Sequence, residues 1–173
     1  MVIHEIAHRF FADLLNIPVY RVNYFTLNNG NDGGGIELSP TDSVKAALLV
    51  ALGPLIINTL LCAIISFPPA SLLEGDENFL WRLLYWLGIS IGMYAIPSNS
   101  DLDYLLNVVK QQAANDRIIK DSTINNPVSG SIRLLVFFIK IINLLRFLWV
   151  DLLYAVLISQ VIPYCVKQLI VFG

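Results

Sequence analysis

The sequence predicts a mainly α fold: a polytopic transmembrane helical bundle with a small membrane-associated β-hairpin or sheet after the first helix. Composition is the first reason. Of 173 residues, 56% are hydrophobic and 14% charged, against roughly 25% charged in an ordinary soluble domain. The mean hydropathy is +0.67. Patterning is the second: long uncharged runs alternate with short polar stretches, and a near-alternation of β-branched and aromatic residues follows the first helical segment. These features exclude a disordered chain, a soluble nucleic-acid binder and a typical cytosolic enzyme. Eleven Lys and Arg against 13 Asp and Glu give a net charge of −2, with no basic stripe to track a phosphate backbone. Cys62 and Cys165 lie in apolar runs and frame no disulfide scaffold. One integral-membrane domain, residues 1–173, accounts for the whole chain.

Met1 to Leu15 has helical spacing and ends before Pro18. It is too short to cross about 30 Å of hydrocarbon alone. It lacks a basic leader and carries His, Glu, Arg and Asp, so it is no signal peptide. Either it enters the membrane in part, or the natural protein continues upstream of Met1. Val19 to Leu27 reads as a strand, Asn28 to Gly35 as a turn and Ile36 to Leu38 as a short return strand. An open sheet edge is unacceptable in lipid, so this hairpin belongs at the interface or against protein.

Ala46 to Phe67 is uncharged and is expected to span, stopping at Pro68-Pro69. Leu83 to Ser100 is a second uncharged run, with Trp81, Tyr85 and Trp86 as interface anchors and an irregular end at Pro97-Ser98-Asn99-Ser100. The polar stretch Lys110 to Gly130 reads as a loop. In the C-terminal segment, residues 132–173, Ile132 to Leu145 reads as a tilted or interfacial helix and Phe147 to Phe172 as a span that Pro163 kinks. A single long helix is the rival reading. Asp151 is a functional candidate if it lies within the membrane, or a headgroup-level charge at a helix end.

The chemistry concentrates at the N-terminus. His4-Glu5-Ile6-Ala7-His8 is an H-E-x-x-H pattern, which arises by chance in roughly one of a few hundred random chains of this length. Residues four apart share one helical face, so both imidazoles can reach one Zn²⁺, with Glu5 beside them as proton acceptor. They are the only two histidines in the chain. A catalytic zinc usually has three protein ligands, so the third must be acidic or, less suitably, a cysteine. Asp101 and Asp103 follow the second uncharged run directly. Each also suits a helix cap. Asp101 is favoured because it lies nearer the apolar run, and two residues rotate a helix by about 200°, so one of the pair faces the metal. Asp103 has Leu102 before it. Within the first span, Gly53-Pro54-Leu55-Ile56-Ile57-Asn58 places a small residue and a buried polar one, a common helix-packing device.

Taken in this order, these elements resemble the site-2 protease family of intramembrane zinc metalloproteases over residues 1–107. The family carries H-E-x-x-H on its first core helix, then a membrane-associated hairpin, a helix with a G-P-x-x-N-like element, and a helix bearing an Asp ligand. The resemblance implies His4, His8 and Asp101 (or Asp103) as zinc ligands. It also implies Glu5 as general base and Asn58 as an active-site polar group, for substrate backbone or oxyanion. The family's Leu-Asp-Gly around its third ligand is here Leu102-Asp103-Tyr104. The implied function is a zinc endopeptidase acting on membrane-embedded or juxtamembrane substrates, in a multi-pass protein of the cell membrane. The hairpin would pair with an unfolded substrate strand. Its partners are a membrane protein or peptide and the lipid bilayer, with no nucleic acid. A second reading is a non-catalytic scaffold that keeps the fold. A third is a transporter or channel subunit using Asp151 and Lys140. Lys and Arg are spread evenly among the loops, so they set no membrane orientation.

Overall fold

The computed structural model describes residues 1–24, 35–72, 79–119, 127–144 and 150–172. The elements run α1 (Val2–Leu14), β1 (Val19–Asn23), β2 (Gly35–Leu38), α2 (Val44–Leu72), α3 (Phe79–Gly92), α4 (Asn99–Ile119), α5 (Pro127–Leu144) and α6 (Val150–Phe172). The fold is mainly helical with one small sheet, as the sequence predicts.

The end of α1 is a Schellman motif. Asn16 takes φ 54°, a conformation asparagine tolerates better than most residues. The Asn16 N–H donates to Asp13 O at 3.1 Å and the Ile17 N–H to Ala12 O at 2.8 Å. Ile17 and Ala12 are both buried in the small core that α1 shares with Val50 of α2. This tight reversal sends the chain into β1, which pairs antiparallel with β2, Val22 opposite Ile36 and Asn23 opposite Gly35. The expected strand is observed to Asn23; the expected turn, up to residue 34, lies outside the described residues.

Helix α2 is capped by Ser43, whose Oγ accepts the Ala46 N–H at 3.3 Å. It does not stop at Pro68-Pro69 as expected but continues to Leu72. Proline φ is itself helical, and near a helix end few hydrogen bonds remain for the ring to remove. Val44–Phe67, 24 residues with mean hydropathy 2.5, is the one helix among the described residues long and apolar enough to cross a membrane. The second expected span is shorter than the uncharged run. Helix α3 has 14 residues, a rise of roughly 21 Å, and the chain leaves helix after Gly92. The Tyr85 hydroxyl meets Ser159 Oγ at 3.1 Å and accepts from Gln160 on α6.

The polar stretch expected as a loop is helix at both ends, α4 to Ile119 and α5 from Pro127; residues 120–126 lie outside the described residues. Charge misleads here because α4 needs only one apolar stripe. Leu102, Leu105, Val108 and Val109 recur at helical spacing and are buried, while Lys, Gln and Ala beyond them are good helix formers. The C-terminal segment forms two helices that pack differently, α5 on α4 and α6 on α2 and α3. Pro163 lies inside α6.

Helix α2 is the hub, packed against α1, α3, α4 and α6. Its Ala47 and Ala51 join Ile96, the α4 stripe and Ile132, Val136 and Ile139 of α5 in the main core. Glycines allow the α2–α3–α6 junction to close. A Cβ on Gly92 would lie 2.8 Å from Cys62 Sγ and 3.0 Å from Ala155 Cβ. Gly92→Ala is therefore expected to destabilise the fold by about 1–3 kcal/mol through overpacking. Gly130→Ala, with nothing within 4 Å of the added carbon, is expected to be neutral or to gain up to about 1 kcal/mol of helix propensity. Denaturant unfolding of the two variants in detergent micelles checks the contrast.

Candidate metal centre

Three elements meet at the N-terminal end of the molecule. Helix α1 presents His4, Glu5 and His8 on its buried face, together with Ala7 and Ala12. That face lies against α2, and Gly53 makes the approach possible. A Cβ at Gly53 would lie 2.6 Å from Phe11 Cδ2 and 3.3 Å from Ala7 O. Helix α4 brings Asp101 in its first turn.

The ligand atoms of His4, His8 and Asp101 all lie within 4.8 Å of one another. The two Nε2 atoms are 3.2 Å apart. His8 Nε2 is 3.1 Å from Asp101 Oδ1, and His4 Nε2 is 3.4 Å from Asp101 Oδ2. The other nitrogen of each ring is committed. His4 Nδ1 is 2.7 Å from Tyr94 O, and His8 Nδ1 is 2.8 Å from Val50 O. A carbonyl only accepts, so both Nδ1 atoms carry hydrogen, and each ring turns its Nε2 toward the other and toward Asp101.

Asp101 is a carboxylate here. Burial pushes its pKa up, yet the contacts with His4 and His8 and the hydrogen bonds from Ser98 outweigh that. They hold it well below the usual carboxylate range. Ser98 is the reason its orientation is fixed. The Ser98 N–H and Oγ–H each reach Asp101 Oδ2 at 2.7 Å, and the Asp101 N–H donates back to Ser98 Oγ at 3.3 Å. This is a reciprocal capping box at the start of α4. Cap and candidate ligand, alternatives in the sequence, are one residue in the structure. Asp103 lies elsewhere: exposed, it accepts from Lys140 Nζ of α5 at 2.7 Å.

The donor set fits zinc. A tetrahedral ion with ligands at about 2.0–2.1 Å sets them roughly 3.3–3.4 Å apart; the two Nε2 atoms are 3.2 Å apart, and each lies 3.1–3.4 Å from a different oxygen of Asp101. Three acceptors at these distances require a positive charge among them, from a proton or a metal ion. Glu5 is 4% exposed, and its carboxyl interacts electrostatically with His4, His8 and Asp101. Asn58 is fully buried, and its Nδ2 donates to Tyr94 O at 2.7 Å. Its donor is thus committed to the protein rather than presented to a substrate. Asp151 stands in the first turn of α6, where an acidic residue complements the helix dipole.

Sequence reasoning missed Val50, Tyr94 and Ser98. Ser98 had a signal, the S-x-x-D spacing to Asp101. Val50 had one too, in the proline four residues on. Tyr94 had none, since a backbone carbonyl contributes through its place in the fold rather than its residue type. No protein-family model, curated protein or solved structure matches the chain.

Ser98→Ala removes the cap of α4 and is expected to cost about 0.5–2 kcal/mol. Asp103→Asn breaks only an exposed pair, 42% and 58% exposed, and is expected to cost less than about 1 kcal/mol. Unfolding free energies of the two variants, measured side by side, test this ranking.

Proposed function

We propose that the chain is a multi-pass intramembrane zinc metalloendopeptidase that hydrolyses peptide bonds of membrane-embedded or juxtamembrane substrates. One observation carries the proposal: His4 Nε2, His8 Nε2 and an Asp101 carboxylate oxygen converge while both Nδ1 atoms are engaged elsewhere. His4, His8 and Asp101 would hold the ion and leave a fourth position open. Zinc, when bound, polarises a scissile carbonyl and lowers the pKa of water toward roughly 7.

Glu5 is next to His4 in the chain and buried beside the ligands. It accepts the proton of the attacking water and returns it to the leaving amine. Burial of the site excludes bulk water and strengthens each of these interactions. The β1–β2 pair packs on α1 and, among the described residues, leaves one edge of each strand unpaired in the two-stranded sheet. A substrate segment drawn out of helix can pair there through its main chain.

The outer surface supports the membrane setting. Ile6, Phe10 and Leu14 of α1, Ile56, Leu60 and Ile64 of α2, and Leu83, Trp86 and Leu87 of α3 are all exposed. Only 33% of the apolar window of α2 is buried inside the protein. Exposed apolar area on this scale is costly in water and neutral in lipid. Helices α3 and α6 would make further passes beside α2.

Purified protein is expected to carry about one zinc ion per chain, and His4→Ala, His8→Ala or Asp101→Asn to lose it, since two remaining donors hold zinc poorly. Elemental analysis decides this; full zinc occupancy in any of the three removes that residue from the site. Glu5→Gln is expected to keep zinc and fold while lowering proteolysis in liposomes about 10²–10⁴-fold. Zinc without proteolysis in the unaltered chain would favour the scaffold reading instead.

A further inference from the structure

The carbonyls that orient the two histidines are governed by one ridge of α2. In a regular helix the Val50 carbonyl accepts from the N–H four residues on. That residue is Pro54, which has no N–H and whose ring crowds the carbonyl four residues back. Val50 O is left without its helical partner and takes the His8 Nδ1 hydrogen at 2.8 Å. One turn further on, Asn58 Nδ2 donates to Tyr94 O at 2.7 Å, the oxygen that His4 Nδ1 also reaches at 2.7 Å. Tyr94 lies in the turn between α3 and α4, so no continuing helix holds its carbonyl in place.

Val50, Pro54 and Asn58 are spaced four apart and share a face, and all three are less than 2% exposed. Neither Pro54 nor Asn58 is a residue that stability alone would place there. A mid-helix proline forfeits a hydrogen bond. Among the described residues no donor reaches Asn58 Oδ1, though the atom is buried.

We propose that Pro54 and Asn58 are positioning residues. Pro54 reserves Val50 O for His8, Asn58 pins Tyr94 O for His4, and together they hold both imidazoles as Nδ1–H tautomers with Nε2 facing Asp101. Both act through a backbone carbonyl. The proposal deepens the metallopeptidase reading and rests on it only for its zinc arm; the tautomers are a property of the metal-free chain.

The test uses the full chain in lipid nanodiscs with ¹⁵N-labelled histidine. Since the chain has two histidines, the ring signals separate without further labelling. The metal-free protein is expected to show Nδ1 protonated in both rings. Pro54→Ala returns an N–H to α2 and is expected to shift the His8 hydrogen partly to Nε2 while leaving His4 unchanged. Pro54→Gly is the second variant if that one does not fold. Asn58→Leu, close in shape, is expected to shift His4 alone, with an unchanged or raised melting temperature because an unpaired buried acceptor is gone. In the zinc arm each variant is expected to bind about 10–100-fold more weakly. A ring whose tautomer does not move in its variant overturns the role of that residue. Tautomers that respond in a chain that binds no zinc would uphold this proposal and overturn the metallopeptidase one.

Discussion

Two imidazole lone pairs and a carboxylate cannot share a buried space without a positive charge between them, and the junction of α1, α2 and the start of α4 is organised around that requirement. Gly53 lets α1 lie close enough to α2 for His8 to reach Val50 O. The Schellman turn at Asn16 folds the chain back so that Ile17 closes the lower part of the same contact. The capping box at Ser98 aims Asp101 inward before α4 has completed a turn. Three separate local devices thus converge on one electrostatic demand. Each is a backbone-level feature, and this gives the site its rigidity: helices and capped turns hold side chains more firmly than loops do.

The interior and exterior divide their roles in an unusual way for a chain of this size. Six polar residues are buried, His4, Glu5, His8, Asn58, Ser66 and Ser159, while many large apolar side chains are exposed. In water that arrangement would drive association. Against hydrocarbon it is consistent, because the hydrophobic effect no longer distinguishes inside from outside. In the proposed bilayer setting, close packing and hydrogen bonds would hold the helices together. The Gly88 and Gly92 contacts and the Tyr85–Ser159 and Thr59–Tyr154 bonds supply both.

Much of this was legible in residue spacing. The i, i+4 histidines fix a shared helical face, and the hairpin follows from alternation around a glycine-rich turn. The choice of Asp101 over Asp103 as the inward residue follows from the rotation of a helix by two positions. Where sequence reasoning failed, a local rule was applied without its context. Pro68-Pro69 reads as a stop, but helix continues for three residues beyond. Lys110 to Ile119 reads as loop by polarity, yet it extends a helix whose apolar stripe is already anchored at Leu102 to Val109. The Leu83–Ser100 run reads as one span because hydropathy does not register the break after Gly92, and that break is where Tyr94 contributes its carbonyl. The partner of the Asn58 amide nitrogen, 36 residues away, could not be read from residue type.

The joint between Ser98 and Asp101 has a mechanical consequence. One oxygen of the carboxylate anchors the first turn of α4 while the other faces His8, so fraying of that turn and loosening of the central charge are the same event seen from two sides. Linkage makes the relation reciprocal. Helix α5 braces this joint from outside, where Asn143 Nδ2 donates to Pro97 O at 2.9 Å and to Asn99 Oδ1 at 3.3 Å. Helix α5 is thereby joined to the centre through Pro97 and the Ser98–Asp101 pair.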